Sequence, residues 1–389
     1  MKEKLAGKGV VLINPDSIEI APEVNPDRIE QGVVIHPGCR IRGADTFLCS
    51  GTEIGKEAPV TVENCYAGPE VSLQGGYFKG SVFLTKASVG SCAHIRDGTI
   101  LEEHAGAAHN VGLKQTILFP FVTLGSIINF CDCLMAGGTG PDNHSEVGSS
   151  YIHFNFTPRQ DKATPSLIGD VAKGVMLNQP PVFLGGQGGL VGPCRLAYGT
   201  VIAAGTINRR DEHRSGRLIF GGPDRSGNIP YEKAGGMRNI SRVVENNLFY
   251  IASLNALRCW YTNVRAMFIS ESLPEPLYQG LLHTLDGCIE ERIRRFDKFA
   301  AGQVNQYNGR ELFDPESVQG AGEVGDSGMK ENFLAQVNRQ IQLQGKQDYT
   351  GVIQSLDPAD ADLGSSWLQG IIDALAQRWK ARLPGLFKT

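Results

Sequence analysis

From Ile35 to Ile202, apolar side chains recur at every sixth residue, which is neither the 3.6 period of a helix nor the alternation of a single strand. Ile35, Ile41 and Phe47 open the beat, and Ile54 and Val60 resume it after a one-residue slip. Val89, Ile95 and Leu101 form a second series, Val111 and Ile117 a short third, and Leu190, Leu196 and Ile202 a fourth. Glycine and small polar residues fill the intervals. One inward aliphatic residue per six, with small residues to turn a corner between, predicts a parallel β-helix in which three hexapeptides make one coil. A β-sandwich would show period-two alternation instead, which is absent over any useful length. The beat breaks at residues 137–144, at 155–166 (NFTPRQDKATPS) and at 172–181, and in a solenoid such interruptions become loops.

After Phe220 the run GGPDRSGNIP reads as a linker, and the period changes. Ile240, Val244, Leu248, Ile251, Leu254, Leu257, Tyr261, Val264 and Phe268 step by three and four, predicting one long helix with a single apolar stripe. Leu277, Leu281, Leu285, Ile289, Ile293 and Phe296 predict a second, and Phe333/Val337/Ile341 and Trp367/Ile371/Leu375 predict two shorter ones. The expected division is a β-helix over residues 1–224 and a helical C-terminal domain over 225–389.

Composition agrees with that division. Of 48 glycines 32 precede residue 225, whereas Trp260, Trp367 and Trp379 all follow it. The balance of 37 basic against 41 acidic residues, with no basic block, argues against a nucleic-acid partner. No run of 18 apolar residues appears and the N-terminus turns polar at once, so neither a membrane span nor secretion is expected. Nine cysteines without a C-x-x-C pair suit a reducing compartment, and the expected location is the cytoplasm.

Three segments carry a family resemblance. VFLGGQGGLVGPCRLAYGTVIAAGT (182–206), GVVLINPDSIEIAPEV (9–24) with its Asp16 and Ile18, and VGSSYIHFNF followed by LIGD (167–170) resemble the bacterial bifunctional N-acetylglucosamine-1-phosphate uridyltransferase and glucosamine-1-phosphate acetyltransferase. The likeness is to its acetyltransferase half and runs over about residues 9–220. It implies an all-β left-handed parallel β-helix of hexapeptide repeats, here followed by an α-helical C-terminal domain, and assembly as a homotrimer. No counterpart of the family's nucleotidyltransferase half is found: Met135 to Gly140 is the nearest glycine-rich match, and no basic residue follows it. Uridyltransferase activity is therefore not expected.

For acyl transfer the resemblance implies an acetyl-CoA or other acyl-CoA cofactor and assigns residues to it. Asn155 and Phe156 match an Asn-Tyr pair, Phe156 lacking the hydroxyl; Ala204 matches an alanine whose backbone meets the cofactor, and Gly186 stands where the family has serine. The family's catalytic histidine has no direct match. Counting back from Asn155 reaches Asp132, and allowing a short gap reaches Ile127 or a neighbour. A general base contributes 10²- to 10⁴-fold, so the candidates matter: Asp132, His144 and His153. In bland terms, His144 is a surface loop residue and His153 a satisfied polar residue on a coil.

Other constellations carry less. His104 and His109 are spaced like a zinc pair of the γ-class carbonic anhydrases, yet no third imidazole accompanies them, and solvent-facing turn histidines are the default. Cys131 and Cys133 alternate and would share a strand face. Gly185 to Gly189 lacks the Lys-Ser/Thr of a phosphate loop, so solenoid corners explain it. Arg292, Arg294 and Arg295 read as the polar side of the second helix. The functional expectation is a hexapeptide-repeat acyltransferase acting on an amino-sugar phosphate or nucleotide sugar; the alternative is a non-catalytic sugar-nucleotide-binding or regulatory subunit of the same pathway. No metal site is expected.

Overall fold

The computed structural model describes residues 1–152, 165–221, 240–303, 312–313, 327–346, 348–383 and 386–387. Short parallel strands stack in three columns, giving the left-handed parallel β-helix. The first face runs from Val11–Leu12 through Val34–Ile35, Glu53–Ile54 and eight further rungs to Leu218–Ile219. The second begins at Glu19–Ile20 and Arg40–Arg42 and ends at Ile207–Asn208. The third carries Phe47–Leu48, Tyr66–Ala67, Ser81–Phe83, Thr99–Leu101 and their successors to Arg195–Leu196. The inward beat is confirmed on the first face by Ile35, Ile54, Leu73, Val89, Leu124, Val147, Leu184 and Ile202, all buried. It is corrected at two points. Phe47 pairs with Tyr66 in the column that leads through Val82 to Ile100, so Phe47 points outward and its neighbour Leu48 holds the inward place. Leu101 pairs with Leu118, so Leu118 continues the inward column and Ile117, paired with Ile100, points the other way.

That outward column is the unusual feature of the solenoid. On the third face Phe47, Tyr66, Val82, Ile100, Ile117, Leu134 and Leu167 lie in register on successive rungs. Strand parity turns them away from the solenoid interior, and yet every one is buried. The helices cover them. Seven helices occur among the described residues: α1 (Lys2–Gly7), α2 (Val171–Gly174), α3 (Ile240–Asn263), α4 (Glu275–Gln303), α5 (Ser327–Gln344), α6 (Tyr349–Gln354) and α7 (Pro358–Ala381). Helix α4 lies along the rungs at Tyr66, Val82 and Ile100, and α3 reaches the rung at Leu167. A Cβ at Gly280 of α4 would fall 2.4 Å from the Tyr66 ring, so only glycine lets the two elements meet this closely. Burying seven such side chains is worth about 10–20 kcal/mol. The helical unit and the solenoid therefore share one hydrophobic core.

The long stripe expected over 240–268 ends as a helix at Asn263, and Arg265–Phe268 forms a short 3₁₀ turn. The second stripe lies within α4, and the Phe333 and Trp367 series lie within α5 and α7. All three tryptophans are buried. The interruption at 137–144 becomes an antiparallel hairpin pairing Gly138–Gly140 with Asn143–His144, and the one at 172–181 begins with α2. Most of 155–166 and the boundary expected at 224/225 lie outside the described residues. None of the described helices is long and apolar enough to cross a membrane.

Polar contacts pin the two units together at specific corners. Arg292 of α4, 3% exposed, donates to Asp132 at 2.9 Å, so it is buried rather than on the polar side of the helix. Arg294 and Arg295 pair with Glu291 one turn away. Tyr261 of α3 donates to Glu102 at 2.5 Å, and Arg265 donates to Glu103 at 2.5 Å. Burial pushes the Glu102 carboxyl from 4.5 up to about 7, against the opposing pull of the Arg265 charge.

Two outcomes follow from these contacts. Arg292→Met leaves the Asp132 carboxylate buried without its cation and should cost about 3–5 kcal/mol in urea unfolding. The double variant Asp132→Asn/Arg292→Met should recover much of that loss, because no uncompensated charge remains. For Glu102 the native state holds a proton that the unfolded chain releases near the ordinary carboxylate value. Its contribution to stability is present in full below about pH 4.5 and is lost as pH rises through about 7. Glu102→Gln should flatten that part of the stability profile, as read from melting temperatures at successive pH values.

Candidate functional site

The helices cover the third face, which leaves the corner between the first and second faces open. There each coil contributes a short run of residues, and hydrogen bonds between rungs line them up. His109 Nδ1 lies 2.9 Å from Ser126 Oγ, one coil on. Ser149 Oγ donates to the Ser126 carbonyl at 2.7 Å, the Gln187 amide donates to the Ser149 carbonyl at 2.7 Å, and the Gly205 amide donates to the Gly186 carbonyl at 2.9 Å. The strip therefore runs from His109 through Ser126, Ser149 and Gly186 to Ala204. At the usual strand spacing its four steps span about 19 Å.

The glycines along this strip have different reasons. A Cβ at Gly148 would come within 2.6 Å of the Gly186 amide, and one at Gly185 within 2.4 Å of the Ala204 amide, so stacking of the coils requires both. Gly186 is different: a Cβ there would meet nothing closer than the Ser149 amide at 3.5 Å, an ordinary contact. The serine that the family resemblance puts at this position would fit, and glycine instead leaves backbone open to a ligand. Ile127, a β-branched residue, sits at a φ of 59° and is 54% exposed, in the left-handed turn that Cys92, Asn110 and Gln187 also adopt at this corner, at φ of 58°, 57° and 56°.

The expected site residues separate. Gly186 and Ala204 share the strip. Asp132 does not: it occupies the corner between the second and third faces, at a φ of 57°, beneath α4 and paired with Arg292. His144 stands in the hairpin of the insertion at 137–144, with its Nδ1–H donating to the Pro141 carbonyl at 2.5 Å. His153, Asn155 and Phe156 lie outside the described residues. Cys131 and Cys133 flank the corner residue Asp132, so they belong to different faces and do not share one; Cys133 is buried and Cys131 half-buried. His104 and His109 also part company, His104 standing on the corner between the third and first faces, where it lines a cavity. No group of three or more metal-ligating side chains is found among the described residues.

From the sequence His109 reads only as a zinc ligand or a solvent-facing turn histidine, and not as a base. Its signal was available in the coil length: it precedes Ser126 by 17 residues, one turn of the solenoid, and Ser126 is the immediate neighbour of Ile127. An exposed imidazole whose Nδ1 is held by a serine hydroxyl has its Nε2 directed by that contact, as acceptor or donor according to tautomer. Such a pair can take or give one proton beside a strip of open backbone.

The difference between the two glycines is measurable. Gly185→Ala should lower stability by about 1–3 kcal/mol, because the added methyl meets backbone on the next coil. Gly186→Ser should leave the melting temperature nearly unchanged.

No family model matches the chain. The bifunctional protein GlmU of Pelobacter propionicus is 30% identical over 206 residues, covering 52% of this chain and 39% of that protein. GlmU of Trichlorobacter lovleyi is 29% identical over 204 residues, covering 52% and 39% respectively. GlmU of Fervidobacterium nodosum is 28% identical over 209 residues, covering 54% and 41%. The chain thus spans about two fifths of the length of the curated relatives it matches. Among solved structures, LpxA from Acinetobacter baumannii is similar at 15% identity with a TM-score of 0.22, over 71% of this chain and 97% of that one. The fold and the GlmU matches together relate the solenoid of this chain to hexapeptide-repeat proteins of the GlmU type.

Proposed function

We propose that the protein is a CoA-dependent acyltransferase whose acceptor is an amino-sugar phosphate or nucleotide sugar. The observation that carries this reading is the His109–Ser126 pair standing on the same corner as Gly186 and Ala204. Pantetheine, as long as four to five extended residues, spans about 15 Å and fits along that strip. In the reaction the acceptor amine attacks the thioester carbonyl, the C–S bond breaks, and CoA leaves as its thiol. His109 takes the proton lost by the amine and returns it to the departing sulfur. Its contact with Ser126 fixes the ring so that one nitrogen faces the substrate. A homotrimer is part of the proposal, since Phe183, Val201 and Leu218 lie in register and exposed on the first face, an apolar surface that a neighbouring copy would cover.

The alternative is a non-catalytic sugar-nucleotide-binding or regulatory subunit. What favours it is Ser126 itself, a serine beside Ile127 where the gapped count looks for the family's histidine. A thiol-release assay with acetyl-CoA and glucosamine-1-phosphate separates the two. His109→Asn should lower kcat 10²- to 10⁴-fold while acetyl-CoA binding is kept, and His144→Ala should leave the rate unchanged. If acetyl-CoA fails to bind the wild-type protein and a nucleotide sugar raises its melting temperature, the regulatory reading replaces the enzymatic one.

A further inference from the structure

Away from the proposed acyl site, at the corner between the third and first faces, the solenoid, the hairpin at 137–144 and the helical unit line an open cavity of about 500 Å³. Three successive coils supply Lys86, His104 and Phe121, all in the left-handed region at φ of 61°, 59° and 70°. The phenylalanine is a bulky residue held against its steric preference. Its ring stacks on His104 with centroids 5.7 Å apart and forms a flat wall. From the helical unit come Arg265, Asp348 and Tyr349. Gln354 of α6 donates to the carbonyls of Thr139 and Leu177, which ties the hairpin in place as the remaining side.

The hydrogen-bonding capacity here is lopsided. Asp348 accepts from the Gly351 amide and from Thr350, so it is committed to capping α6. Glu103 is paired to Arg265 through one oxygen, and among the described side chains lining the cavity its other oxygen is the buried acceptor left without a partner. Donors, by contrast, are in surplus. Arg265 is 0% exposed, and its Nε and Nη1 have no partner. Tyr349 lies across its guanidinium, 3.7 Å from the ring centroid. The side chains of Lys86 and His104 have no hydrogen bond or ion pair among the described residues. Burial and the neighbouring Lys86 hold the His104 ring below the usual histidine range, against the opposing pull of Glu103, Asp348 and Glu70. A buried cation with unused N–H groups is costly unless something supplies acceptors.

We infer that this cavity binds a small organic oxyanion, its phosphate or carboxylate held by Lys86, His104 and the field of Arg265, and its flat or apolar body laid against Phe121. Cavities of this size suit a ligand of metabolite dimensions. The site is separate from the strip at His109 and stands or falls independently of the acyltransferase reading.

The test titrates the full chain with phenyl phosphate, benzoate, inorganic phosphate and phenol, following melting temperature and calorimetric heat. Lys86→Asn and His104→Asn serve as variants, since asparagine tolerates the left-handed backbone and should leave the fold intact. A saturable rise in melting temperature with phenyl phosphate or benzoate, but not phenol, supports the site, and the stronger of the two names the anion. Affinity should fall tenfold or more in each variant. The inference is overturned if neither anion shifts the melting temperature at up to about 10 mM, or if wild type and variants respond alike.

Discussion

The structure depends on how one face of the solenoid is finished. A parallel β-helix normally needs only its inward column to be apolar, because water satisfies the outside of each strand. Here the third face carries a second apolar column from Phe47 to Leu167, and that column must be covered. Helices α3 and α4 cover it, and Gly280 against Tyr66 shows how tight the fit is. The core therefore passes through the sheet, from the inward stack on one side to the helical bundle on the other.

Covering one face also assigns the corners. Rung-on-rung stacking turns one residue per coil into a row, and each row inherits the environment of its corner. The row containing Asp132 lies under α4, where a carboxylate is held by Arg292 and serves docking. The row of Lys86, His104 and Phe121 borders the helices without being filled by them, and a polar cavity results. The row of His109, Ser126, Ser149, Gly186 and Ala204 stays open. Three environments thus arise from one repeat.

These environments explain what could be read from the sequence. The six-residue beat and the change to three-and-four spacing after Phe220 are local signals, and they locate both units and most helices. The outward column was visible as adjacent apolar pairs at Phe47–Leu48, Ile100–Leu101 and Ile117–Leu118. A single-position beat cannot say which member of such a pair points inward, which is why the beat assigns Phe47 and Ile117 to the wrong column. Cys131 and Cys133 fail for a related reason, since strand parity does not continue through the corner at Asp132. Arg292 looked polar by helix position because nothing local reveals that a carboxylate waits for it on a coil 160 residues earlier.

The candidate base was hidden by unequal coils. His109 and Ser126 are 17 residues apart, whereas Ser126 and Ser149 are 23 apart although they occupy neighbouring rungs. The hairpin at 137–144 absorbs the excess. Counting backward from Asn155 without allowing for that insertion stops at Asp132, on the docked corner and six residues short of Ser126 on the open one. In a solenoid, then, chemical neighbours are set by rung and corner, and linear spacing is a guide only where coil length is constant. The same geometry separates the glycines: Gly148 and Gly185 are fixed by the next coil, while Gly186 is free of that constraint. A run of glycine in such a fold marks close stacking first, and a ligand surface only where, as at Gly186, the coil beneath does not need it.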